Sequence, residues 1–254
     1  MNGTPGSARP ARVLLVAALL AVLGGIGAPA GASAAPEAQA GVSRATASTS
    51  AALPAWHGGI DLYRTGVFTT QKTWRWCTAA DVQIMRNIVD RRRDHSRASQ
   101  QRYYSYMRAH NRYAIPAADG VDPAGWTAGL RHYVDGRYRL VASGSFGAAL
   151  RSAVTSLRRT NLPVAIAVAR GDHAWVLTGF TATADPAKTS HFTVTSVRVV
   201  GPLWGIQSRT YGYDMRPDKK LTPAQFKHFF TRWHYARIRM AWEGKWVSVQ
   251  PIGS

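Results

Sequence analysis

Apolar and small residues recur at Ala79, Val82, Ile84, Met85, Ile88 and Val89, and this spacing predicts one helix over 78–89 with a buried face. A second helix is predicted over 96–110, with Tyr103, Tyr106 and Met107 on one side and arginines around it. Asp122-Pro123 supplies the cap and first-turn residues of a helix start and leads into 126–134. Ser145 is placed to cap a further helix through Leu157. Runs rich in Val, Ile, Thr, Phe and Trp then predict strands over 163–169, 174–181 and 192–200. Thr222-Pro223-Ala224-Gln225 is a capping-box pattern that opens a short helix to Phe230, and 245–250 reads as a last strand. Helices first and strands afterwards predict an α+β architecture, with N-terminal helices packed on an antiparallel sheet.

Upstream of this patterned region the chain changes character. Arg9 and Arg12 precede an apolar run from Val13 to Ala28, too short and too Gly-broken to span a bilayer comfortably, and Ala32-Ser33-Ala34 has the small-x-small form of a cleavage site. Residues 1–34 are therefore expected to be a secretory signal peptide, an uncleaved anchor being the alternative. Residues 35–52 are rich in Ala, Ser, Thr and Gly and are expected to form a flexible linker or pro-segment. The folded domain is placed at 53–254. The mature protein is expected outside the cell or in the cell envelope, as a monomer with no membrane span.

Charge adds a surface property. The chain has 32 Lys and Arg against 13 Asp and Glu, a formal net charge of +19. Removal of 1–34 takes away two arginines and no acid, leaving +17. Arg86, Arg91, Arg92, Arg93, Arg97, Arg102, Arg108 and Arg112 crowd one segment, interleaved with Tyr103, Tyr104, Tyr106 and Tyr113. Arginines among aromatics can bind nucleic acid, but no nucleic-acid motif is present and export argues against that partner. An anionic cell-wall or extracellular polymer fits better, and a solvated basic helix face is the plain alternative.

One cysteine excludes an internal disulfide framework and a Cys-rich zinc site, and no metal or cofactor is expected. The sole thiol, Cys77, stands in Gln71-Lys-Thr-Trp-Arg-Trp-Cys77-Thr-Ala-Ala, immediately before the first predicted helix. There the unpaired N–H groups and the positive end of the helix dipole favour thiolate. A buried structural cysteine is the ordinary reading of a lone thiol; an exported protein, however, has little use for one unless it is reactive. His173, in Gly171-Asp172-His173-Ala-Trp-Val-Leu-Thr-Gly179-Phe180, opens a predicted strand beside a Gly turn and is the candidate base.

These features together resemble a papain-like cysteine peptidase: Gln six positions before Cys, aromatics beside the Cys, a helix after it, and Asp-His-Ala at a strand start. Trp-Cys-Thr-Ala-Ala, Leu-Pro-Val-Ala-Ile-Ala-Val and His-Ala-Trp-Val-Leu-Thr-Gly-Phe are similar to the branch named for double-glycine bacteriocin leader peptidases, in particular its secreted members without a transporter. The likeness covers most of residues 60–235. It implies a papain-like fold and cleavage of peptide or amide bonds, with Cys77 as nucleophile, His173 as general base and then acid, and Gln71 as a side-chain donor to the oxyanion.

The chain departs from that pattern where the third residue belongs. The family's Asp or Asn at the end of the strand after His falls here on Gly201, in Gly201-Pro202-Leu203-Trp204. Three readings follow: a water or backbone carbonyl replaces the acid, Asp214 or Gln207 reaches in from the following segment, or the site is inactive. Trp204 is a candidate shield for the dyad. The rival functions are a transglutaminase-like acyltransferase and an inactive papain-like binding module.

Overall fold

A computed structural model describes residues 53–206 and 214–253; the expected signal peptide and linker, together with Gln207, lie outside them. In chain order the elements are β1 (Gly59–Asp61), α1 (Cys77–Val89), α2 (Arg97–Ala109), a 3-10 turn (Ala117–Asp119), α3 (Pro123–Tyr133), β2 (Tyr138–Ser143), α4 (Phe146–Thr160), β3 (Val164–Val168), β4 (His173–Ala182), β5 (Val194–Val200), β6 (Lys219–Leu221), α5 (Pro223–Phe229) and β7 (Trp246–Pro251). All seven strands pair antiparallel, in the order β2-β7-β3-β4-β5-β6, with β1 added against β4. The α+β expectation holds. The strict sequence of helices before strands does not, since β2 comes between α3 and α4.

The predicted helix starts are set by local chemistry. Ser96, Asp122 and Ser145 each accept a hydrogen bond from a first-turn N–H, and Thr222 and Gln225 form the full reciprocal capping box. Helix α4 runs three residues past Leu157, to Thr160, because Asn161 takes the left-handed conformation that closes a helix end.

Strand β4 is buried on both faces, which explains its nearly continuous apolar sequence. Side-chain alternation sorts β3 and β4 between two cores. Ala165, Ala167, Ala174 and Val176 join the core that contains α1, α2 and α3; Ile166, Trp175 and Leu177 join the core beneath α4 and α5. The small residues on the first face leave room for α1 to lie close to β4. On the second face the fully buried Ile166, Leu157 and Phe226 each contribute roughly 1.5–3 kcal/mol by leaving water.

Helix α3 approaches α2 across glycine. A methyl added at Gly125 would overlap the Met107 backbone carbonyl, and one added at Gly129 would overlap the Met107 side chain. Replacing glycine within a helix ordinarily gains roughly 1 kcal/mol of propensity, but overpacking costs roughly 1–3 kcal/mol. A backbone carbonyl cannot swing aside, so Gly125→Ala is expected to lower the urea midpoint. A higher midpoint would show that the helices separate without cost.

Candidate functional site

Cys77 is the first residue of α1 and a free, half-buried thiol. This helix start differs from the other four α-helices described: Trp76 stands at the N-cap and gives no side-chain acceptor, and the helical ladder begins with Ala80 N–H to Trp76 C=O, 2.8 Å. The uncapped N–H groups around Cys77 make a field that favours negative charge.

His173 is the first residue of β4 and is buried. Its Nε2 lies 2.9 Å from Asp214 Oδ2, which leaves Nδ1 for the side facing Cys77. The Trp175 indole N–H donates to Asp214 Oδ1 at 2.5 Å, and the backbone N–H of Leu203 donates to Oδ2. Residues 173 and 175 share one face of a strand, so one carboxylate can take both side chains. Burial alone would keep the His173 ring neutral. The hydrogen bond to Asp214 and the neighbouring Cys77 sulfur outweigh it and push the pKa up to about 10.

Gly201 acquires a physical role from this arrangement. A methyl built on it would overlap the Asp214 carboxyl group. The residue that looked like a missing acid at the end of β5 is the empty space in which a later acid sits. Of the three readings open from sequence, the structure contains the one with Asp214. A residue that the sequence did not single out is Trp175, which is buried in the core and also fixes the carboxylate.

Cys77 and His173 line a cleft of about 870 Å³. Its walls are the start of α1 with Trp74 and Arg75, the loop 115–123 with Trp126, the turn 170–172, and the segment 233–240. Two walls are tied together: Asp119 accepts the Tyr235 hydroxyl at 2.6 Å and pairs with Arg237 at 3.3 Å.

Gln71 is buried and does not line the cleft. Its backbone N–H donates to Pro202 C=O at 2.9 Å, and its Nε2 donates to Thr73 C=O at 2.8 Å. The structure therefore fixes the Gln71 loop against Pro202 and commits one amide hydrogen to the Thr73 carbonyl. Trp204 is 42% exposed and is not part of the cleft wall, so it shields nothing there.

The arginine-rich segment is less free than its sequence suggests. Arg108 donates to the carbonyls of Gly120 and Ile115, and Arg97 donates to Lys72 C=O. Arg86 donates to Asp90 and to the buried Tyr103. Arg91, Arg92 and Arg93 stand exposed. Tyr103 belongs to the core, which removes one of the supposed stacking platforms. Among the described residues, no cluster of three or more His, Cys, Asp or Glu is arranged to hold a metal, and no helix is long and apolar enough to cross a membrane. Comparison with protein-family models, curated proteins and solved structures finds no match for this chain.

A histidine raised in the folded state adds stability below its ordinary value of 6.5, and that stability is lost as pH rises through about 10. The urea midpoint is expected to fall over this window, and Asp214→Asn should shrink the fall. A pH profile unchanged by the substitution would show that Asp214 does not hold the imidazolium.

Proposed function

We propose that the protein is an exported papain-like cysteine hydrolase that cleaves peptide or amide bonds through an acyl-enzyme, with Cys77, His173 and Asp214 as its nucleophile, acid–base and orienting acid. One observation carries this reading: the chain's sole thiol sits on an uncapped helix start beside a buried histidine whose far nitrogen is held by a carboxylate. Arg9 and Arg12 before the apolar run of the N-terminus support export, and the +17 of residues 35–254 supports action at an anionic cell envelope.

The chemistry follows from the geometry. An imidazolium with a pKa near 10 is charged at neutral pH, beside a sulfur that the helix start favours as thiolate. Sγ of Cys77 attacks the scissile carbonyl carbon, and the carbonyl π electrons move onto oxygen. The Cys77 backbone N–H meets that oxyanion. Gln71 Nε2 has a second hydrogen beyond the one given to Thr73 and joins once the amide turns toward the cleft. His173 then donates its proton to the leaving amine as the C–N bond breaks, leaving a thioester. Water attacks the thioester while His173 takes its proton, and the C–S bond breaks to release the acid. Asp214 keeps the ring in one orientation throughout.

The motive for an inactive module was the absence of a third residue at Gly201, and Asp214 removes it. An acyltransferase would use the same thioester with an amine in place of water, so amine incorporation from a glutamine donor separates the two.

Iodoacetamide is expected to label Cys77 rapidly near neutral pH, and His173→Ala should slow this measurably by removing the imidazolium beside the sulfur. Labelling no faster than an unactivated thiol would defeat the proposal. Gln71→Ala is expected to lower peptide-library turnover by roughly 10²–10³. Asp214→Gly and Gly201→Asp should each impair turnover, and the double variant should recover part of it by returning the acid to the strand end. No recovery would mean that the two positions do not share one space.

A further inference from the structure

The strongest anomaly near the site is Asp81. It lies in the middle of α1, one helical turn after Cys77, on the helix that packs against β4. Asp81 is fully buried, and neither carboxyl oxygen has a hydrogen-bond partner. Its helical neighbours Ala80, Val82, Ile84 and Met85 are fully buried too. Buried polar groups are almost always paired, so a carboxyl without any partner requires a reason.

The groups whose fields reach Asp81 come from three elements: Cys77 on its own helix, His173 on β4, and Asp214 on the segment after β5. The other helices beside α1 bring no competing charge inward. On α2, Arg97 and Arg102 are exposed and Arg108 is bound to loop carbonyls; on α3, Arg131 and His132 are exposed. With Cys77 as thiolate, His173 as imidazolium and Asp214 as carboxylate, the cluster already has one negative charge in excess. Ionised Asp81 would add a second, buried and without a donor, next to the sulfur. A carboxyl in such a setting keeps its proton. Burial, aided by Cys77, indeed holds Asp81 well above the ordinary carboxyl range.

We propose that Asp81 carries a proton in the working site, its neutral carboxyl leaving the cluster's excess negative charge to Cys77. This inference rests on the thiolate–imidazolium reading of Cys77 and His173. Asp81 stays protonated through acyl transfer; the proton given to the leaving amine comes from His173, and Asp81 forms and breaks no bond. The residue sets which of two acids, a thiol at the cleft or a carboxyl beneath it, holds the charge.

The test uses the full mature chain and two readouts. Infrared spectroscopy near pH 7 is expected to show the C=O stretch of a protonated carboxyl that shifts with carbon-13 aspartate and is lost in Asp81→Asn. The rate of Cys77 alkylation by iodoacetamide, followed against pH, is expected to keep its acidic limb in place in Asp81→Asn, because the amide is as neutral as the carboxyl it replaces. An acidic limb that moves down by a pK unit, giving about a tenfold faster rate on that limb, would show that Asp81 was charged and suppressing the thiolate, and would overturn the proposal. Absence of an aspartate-sensitive protonated band in the wild type would overturn it as well, whether or not the variant folds. A wild-type thiol of ordinary reactivity would defeat the hydrolase reading instead, with the infrared band still deciding the state of Asp81.

Discussion

Everything at the candidate site depends on one buried carboxylate being fully satisfied. Asp214 accepts from His173, Trp175 and the Leu203 backbone at once. Without those donors a carboxylate at such depth would be expelled or neutralised. With them it becomes a rigid negative point that holds an imidazolium in an otherwise unfavourable place. The requirement works backwards into the fold. β4 must end its loop so that residues 173 and 175 present one face, β5 must stop in a residue without a side chain, and the chain beyond must return to the same spot. The site is thus a consequence of how β4 and β5 pair.

The cleft shows the same economy of position. Its thiol comes from the one α-helix among those described whose start has no side-chain cap. Where the other helices use Ser, Asp or Thr to satisfy their first N–H groups, α1 leaves them for whatever anion arrives. A missing stabilising contact at one helix end is tolerated because α1 is buried along nearly its whole length. Stability and chemistry are separated along a single helix, with its first turn serving the cleft and the following turns serving the core.

Much of this was legible in the residues. Cap signatures located the starts of α3, α4 and α5, because a cap is a local bond between residues three apart. β4 was legible because a strand covered on both sides must be apolar throughout. The strands β1 and β6, three residues each, and the edge strand β2 were not, since their pairing is decided by partners far along the chain. Cys77 and His173 stood out through local context, and the structure brings them to one cleft. Gly201 misled for an instructive reason. An acid at that position and a glycine vacated for an acid arriving from elsewhere answer the same geometric need, and only three-dimensional closure distinguishes them. Asp81 left no signal at all, because a polar residue within an apolar helix pattern looks like a solvent-facing one until the opposite face is known.

The position of β7 has a consequence for how the molecule comes into being. Residues 246–251 do not flank the sheet; they fill a slot between β2 and β3. A chain emerging from its amino end therefore has α1 and its thiol long before the sheet that supports β4 can close. Pairing over such separations makes folding slow and late. Until that final insertion the imidazole has no firm bed and the sulfur no organised companion. The order of assembly therefore defers the meeting of Cys77 and His173 until the strand between β2 and β3 is in place.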